Sequence, residues 1–276
     1  MINRVATGRV APNIIAKSPM NRLFAHAPSL LVASAIVALA LHGPISQWPD
    51  YHRFADTRPL LGLPNAMDVL SNLGFAVVAM WGWIGLAPRR RDARLAPGWP
   101  GWALFLVALL MAAIGSALYH LSPDNFRLLF DRLPIALACA GLLAAVYTET
   151  QRSAHGLRTA AVLALASIAS VLWWYVTELN GVGDLRPYLL IQAAPLVLIP
   201  LWQAIHGSPR VERVTFGLAI AGYLLAKVAE LQDQRVFDAV GFVSGHTLKH
   251  LLAFASAALL VGGVMARLSA SQRGSQ

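Results

Sequence analysis

Three histidines and one aspartate have the types and spacing for metal chemistry. His246 and His250 stand four apart in "SGHTLKHLLAF", so on a helix both imidazoles share a face, one turn apart. His120 closes "GSALYH" with Ser116 one turn before it, and Asp131 follows eleven residues after His120. Three neutral imidazoles with an open fourth position form a catalytic zinc set. Zinc lowers the pKa of a bound water to about 7, which gives a nucleophile at neutral pH. In the HExxH peptidases a glutamate inside the motif handles the proton. Thr247 occupies that place here, so this is a different constellation. Asp131 is the available carboxylate, and Ser116 can donate to a developing oxyanion. A third polar cluster, "PNAMDVLSN", offers Asp68, Ser71 and Asn72 as supporting residues.

The elements that must position these residues are set by composition. The chain has 276 residues, is 57% hydrophobic and carries only 13% charged residues. Soluble domains hold roughly 25% charged residues, so an all-α, polytopic membrane helix bundle is expected. Eight apolar spans are predicted, at about 25–43, 66–87, 99–121, 131–149, 158–178, 187–206, 213–230 and 244–267. "APRRRDARLAPGWPG" and "HGSPRVER" break the runs between them. The formal net charge of +9 comes from basic residues dispersed among the loops, a topology signal rather than a nucleic-acid surface. Cys139 is the only cysteine, which excludes an intrachain disulfide. No phosphate loop, GxGxxG or cysteine-based metal signature is present, and nothing in the sequence sets an oligomeric state.

With eight spans, 14 of the 22 Lys and Arg fall on the side of the termini and 6 on the other; Lys227 and Lys249 lie within spans. The excess predicts cytoplasmic termini. Asp68, Ser71, Asn72, Ser116, His120, Asp131, His246 and His250 then converge at one depth, toward the outer, periplasmic or lumenal, face. Each also has a structural reading. Asp131 can be an acid favoured near a helix N-terminus. Ser116 beside Gly115 can be helix packing. Asp68 and Asn72 can be interhelical hydrogen bonds. Lys227 and Glu230 can pair, Lys249 can snorkel outward, and Glu178, Asp184 and Arg186 can form a network beside the site.

The ordered set resembles the alkaline ceramidase family, in its bacterial branch, within the wider superfamily of seven-helix membrane hydrolases that includes the progestin and adiponectin receptors. The elements that carry the resemblance are Ser71-Asn72, Ser116 with His120, Asp131, and His246 with His250, in "FADTRPLLGLPNAMDVLSN", "GSALYHLSPDN", "FDRLP", "GDLRPY" and "SGHTLKHLLA". It covers roughly residues 45–267, a seven-helix core. Residues 1–44 would add a basic segment and an extra transmembrane helix, and residues 268–276 a polar tail. The resemblance implies that His120, His246 and His250 bind zinc, that Asp131 handles the proton of the zinc water and that Ser116 steadies the oxyanion. It implies hydrolysis of the amide of an N-acyl membrane lipid, ceramide-like, to fatty acid and long-chain base. It does not extend to calcium. Asn65 stands where a family glutamate is expected, and only Asp50 and Asp56 precede it. The alternative is a non-catalytic membrane receptor or lipid-binding protein with structural zinc. A transporter would spread ionisable residues through the membrane depth rather than gather them at one face.

Overall fold

The computed structural model describes residues 19–273, with side chains from His26 to Ala270. Arg4, Arg9, Lys17, the Arg22 and Arg273 side chains and residues 274–276 lie outside the described residues, while residues 268–273 of the expected polar tail continue the last helix, with Leu268 buried. Ten α-helices follow in order: α1 (Pro19–His42), α2 (Ala66–Ser71), α3 (Leu73–Leu86), α4 (Trp99–Leu121), α5 (Asn125–Gln151), α6 (Gly156–Leu179), α7 (Arg186–Ile205), α8 (Arg210–Leu231), α9 (Asp233–Val240) and α10 (Gly245–Arg273). Among the described residues, seven spans are long and apolar enough to cross a membrane, with α2 and α3 together making the first, Ala66–Arg89. This is the pattern of a multi-pass membrane protein. Large apolar side chains such as Val77, Ile84, Leu165, Leu218 and Leu225 point outward, as lipid-facing surfaces require.

The eighth expected span, at α1, is not confirmed. The stretch His26–His42 is apolar but shorter than the seven. α1 packs on α7, and whether it crosses is not established. The fourth span also begins earlier than predicted, at Asn125 rather than 131. Asp131 and Arg132 depress the local hydropathy, yet the helix already starts at Asp124, whose carboxylate accepts from Arg127 N at 2.6 Å. That is an N-cap.

The span read as continuous over 66–87 breaks at Asn72. The Asp68 carbonyl, the expected acceptor of the Asn72 backbone N–H, is taken by two side chains. Asn72 Nδ2 donates to it at 2.7 Å and Ser71 Oγ at 3.0 Å. The Asn72 N–H turns instead to Val69 O at 3.3 Å. Side chains inserted into the ladder are a known cause of a helix break.

Close packing of α4 on α5 sets the site. Pro134 has no N–H for the Phe130 carbonyl, and that carbonyl faces Gly115. A Cβ at Gly115 would sit 2.1 Å from it, so only glycine allows this approach. The contact brings Asp131 and Arg132 of α5 alongside the turn of α4 that carries Ser116 and His120. A core of Trp102, Phe105, Leu109, Ile199, Val261 and neighbours fills the bundle, and a second apolar cluster of Tyr119, Trp174 and Tyr188 lies separately.

Candidate metal centre

His120, His246 and His250 are buried and together. Each offers a ring nitrogen, and these nitrogens lie within 4.8 Å of one another. Nε2 of His120 and Nε2 of His246 are 3.2 Å apart. Two imidazole nitrogens about 2.0–2.1 Å from one tetrahedral ion stand roughly 3.4 Å apart. The spacing fits a metal ion, and the donor set suits zinc among others.

The surroundings hold these rings in place. Ser71 Oγ gives its proton to the Asp68 carbonyl, so it accepts from His250 Nδ1 at 2.8 Å. This fixes the His250 tautomer with the proton on Nδ1 and leaves Nε2 as a lone pair. Ligands are commonly oriented in this way by a partner on the other nitrogen. The same Ser71 hydroxyl that competes for the Asp68 carbonyl before Asn72 thus also reaches α10. His120 is placed through its backbone, where Asn65 Nδ2 donates to the His120 carbonyl at 2.7 Å. Phe54 packs edge-on against His120 and His246, with ring centres 4.7 Å apart in both cases.

The start of α10 is fastened from three sides. Ser244 caps it, accepting from Thr247 N at 3.0 Å. Thr247 Oγ1 donates to Asp68 Oδ1 at 2.5 Å. Asp233 accepts from His246 N at 2.7 Å through one oxygen and from Ala55 N at 2.9 Å through the other. Gly245 permits the approach to α8, because a Cβ there would meet the Ala229 carbonyl at 2.1 Å. The residue that replaces the HExxH glutamate therefore binds a carboxylate on another helix.

Ser116, Asp131, His246 and His250 line one cavity of about 600 Å³, within the ~300–1,000 Å³ of small-molecule sites. Leu109, Leu142, Ile199, Phe216 and Leu260 line it further in. Ser116 Oγ is buried and has no hydrogen-bond partner. Asp131 is buried too, and makes no hydrogen bond among the described residues. The donor and the carboxylate that the sequence assigns to chemistry are thus uncommitted. Asp68 and Asn72 sit behind the imidazoles and support them.

Lys249 does not snorkel. It is partly buried, donates to Glu230 Oε1 at 2.9 Å, and lies 2.8 Å from His246 Nε2. Glu230 also accepts from Lys227 at 2.8 Å. A metal ion held by His246 Nε2 would displace the Lys249 contact, and Glu230 is in place to keep the ammonium. His52 takes no part in the cluster. It joins the segment before α2 to α4 and α5 through Tyr119 Oη at 3.0 Å and Asn125 Oδ1 at 2.9 Å. Glu178 accepts from Asn125 Nδ2 at 3.0 Å.

Outside the spans, two carboxylates tie the connecting segments. The Arg58 guanidinium beside Asp56 holds its carboxyl below the usual carboxylate range, outweighing burial. Burial pushes Asp184 up, but hydrogen bonds from Arg186, Trp173 and the Ile45 backbone outweigh it and hold it well below that range.

Sequence reasoning missed Asp233, Phe54 and the pairing of Lys249 with Glu230. Asp233 had one available signal, an acid between the last two predicted spans, 213–230 and 244–267, on the side that carries the site. Phe54 had none. Among known proteins, no family model, curated protein or solved structure matches the chain.

Proposed function

We propose that this chain is a membrane zinc hydrolase that cleaves the amide of an N-acyl membrane lipid, ceramide-like, into fatty acid and long-chain base. The observation that carries the reading is a cluster of three imidazoles, two of which line one largely apolar cavity together with an unpartnered Ser116 hydroxyl and an uncommitted Asp131 carboxylate. The resemblance of the same residues to the alkaline ceramidase family supports it.

His120, His246 and His250 would hold the ion. When bound, zinc supplies a Lewis acid and a water of pKa about 7. Asp131 accepts a proton as water adds to the amide carbon, and returns it to the leaving nitrogen as the C–N bond breaks. Ser116 donates to the carbonyl oxygen as negative charge develops on it. Ser71 holds the His250 ring by its Nδ1 proton. The apolar lining receives the acyl chain. With α1 taken as an eighth crossing, the excess of Lys and Arg on the side of the termini supports cytoplasmic termini, with the site toward the outer face.

The test is metal analysis of the purified protein alongside incubation with a panel of N-acyl lipids, read by mass spectrometry. One zinc per chain and release of fatty acid are expected. Asp131→Asn should retain zinc and lose turnover by ~10²–10⁴-fold. A folded, metal-replete sample without zinc would falsify the reading. Zinc without cleavage of any amide or ester would leave a non-catalytic metal site.

A further inference from the structure

Arg132 follows Asp131 on α5 and is 2% exposed. Its guanidinium carbon lies 4.0 Å from the centre of the Trp174 ring, 5.0 Å from Tyr51 and 5.5 Å from Tyr188. Stacked rings attract the positive charge, but they accept none of its five N–H donors in the way an oxygen does. Arg132 Nε and Nη1 are buried with no hydrogen-bond partner, and no carboxylate among the described residues pairs with the group. Four half-buried cations of the spans are differently placed. Lys227 and Lys249 share Glu230, Arg186 holds Asp184, and Arg267 holds Glu149.

The position of Arg132 gives this unpaired charge a use. It lines the same cavity as Asp131, His246 and His250. It stands seven residues into α5, about 10 Å from that helix's start, and α5 begins only four residues after α4 ends. The cation is therefore near the metal-bearing end, and the apolar lining runs away from both. A planar fork of donors matches a carboxylate or phosphate.

We propose that Arg132 docks an oxyanion, a carboxylate or a phosphate, at the polar end of an amphiphile whose chain occupies the cavity. The Tyr51, Trp174 and Tyr188 rings surround the guanidinium and leave its N–H donors to the ligand. One consequence rests on the hydrolase reading above. The substrate would then be an N-acyl compound with an anionic headgroup, such as an N-acyl amino acid or an N-acylated amine bearing a phosphate. A neutral diol headgroup would leave Arg132 unused.

The test uses the full chain in nanodiscs of zwitterionic lipid, after metal chelation, so that no ion can hold the ligand's carboxylate. Binding of N-dodecanoylglycine, its methyl ester and dodecyl phosphate is measured by calorimetry. The acid should bind roughly tenfold or more tightly than the ester, and Arg132→Gln should remove that advantage. Comparing the acid with dodecyl phosphate identifies the preferred oxyanion. Equal binding of acid and ester, or an advantage that persists in Arg132→Gln, overturns the proposal. If Arg132→Gln does not fold, Arg132→Lys decides. The acid's advantage falls several-fold if the fork holds it, and is unchanged if Lys227 or Lys249 does. Turnover is measured separately on metal-loaded protein. An intact acid preference without turnover sinks only the hydrolase reading, while turnover without the preference sinks only the role of Arg132.

Discussion

Where α5 and α10 finish, Arg267 donates to both oxygens of Glu149, at 2.8 and 3.0 Å, and to Glu212 at 3.4 Å. Trp102 Nε1 adds a further bond to Glu149 at 2.8 Å. At the other end of the same helices, Ser116 Oγ, His120 Nδ1, Asp68 Oδ2, Asn72 Oδ1 and two nitrogens of Arg132 are buried without a partner. Both ends take polar groups into an apolar bundle. One closes nearly every bond within the protein, leaving only Arg267 Nε unpartnered. The other leaves several open, each at a cost of about 1–3 kcal/mol. Burial of polar residues alone therefore does not mark a site in this fold. What separates the two ends is capacity left unused, and it is concentrated around three imidazoles and a cavity.

The largest effect should come from breaking the closed end. Arg267→Met strands a buried Glu149 carboxylate and should destabilise the fold by about 3–5 kcal/mol, read by unfolding in mixed micelles. Zinc content of the folded fraction should not change. A loss of zinc there would mean that the two ends are not independent.

Ser116→Ala should do the reverse. It removes an unpartnered hydroxyl, so stability should hold or rise slightly. Turnover should fall ~10²–10³-fold, the usual loss for one oxyanion donor. Unchanged turnover would return Ser116 to a packing role beside Gly115. Ser71→Ala probes the support behind the ligands. It frees His250 Nδ1, and metal affinity should weaken ~10–100-fold in chelator competition. Equal affinity would show that the Ser71 contact does not orient the ring.

The smallest effect is a pH dependence of the segments that border the site. Asp56 and Asp184 have carboxyls held below their ordinary range. Their contribution is present above the unfolded value near ~3.9, and is lost as pH falls through the folded values. Limited proteolysis of residues 45–60 and 180–186 should accelerate below about pH 4 and not between pH 5 and 8. Faster cleavage on raising the pH would contradict this sign.

Much of the candidate site was legible because helix geometry is local. The four-residue spacing of His246 and His250 puts both on one face, and alternation of the spans brings His120 to the same end from 126 residues away. Ser71 and Asn72 were legible as supporting residues, but not their action on the Asp68 carbonyl, since a hydropathy run does not reveal a break in the ladder. The start of α5 was hidden for the opposite reason: the charges that matter to the site made the first two turns look like a loop. Lys249 looked like a snorkelling residue because its partner, Glu230, lies on another helix. Arg132 counted only as a topology charge until the fold brought Trp174 and Tyr188 around it from α6 and α7. Asp233 and Phe54 act across connecting segments, whose paths no periodicity encodes.

The two bonds of Asp233 have a mechanical consequence. One carboxylate grips both the backbone of His246 and the backbone of Ala55, next to the Tyr51–Phe54 stretch that borders the cavity. A tail that entered by pushing this stretch aside would pull on the same side chain that seats His246. Entry and imidazole geometry would then form a single coordinate, with passage through the mouth felt at the ring cluster.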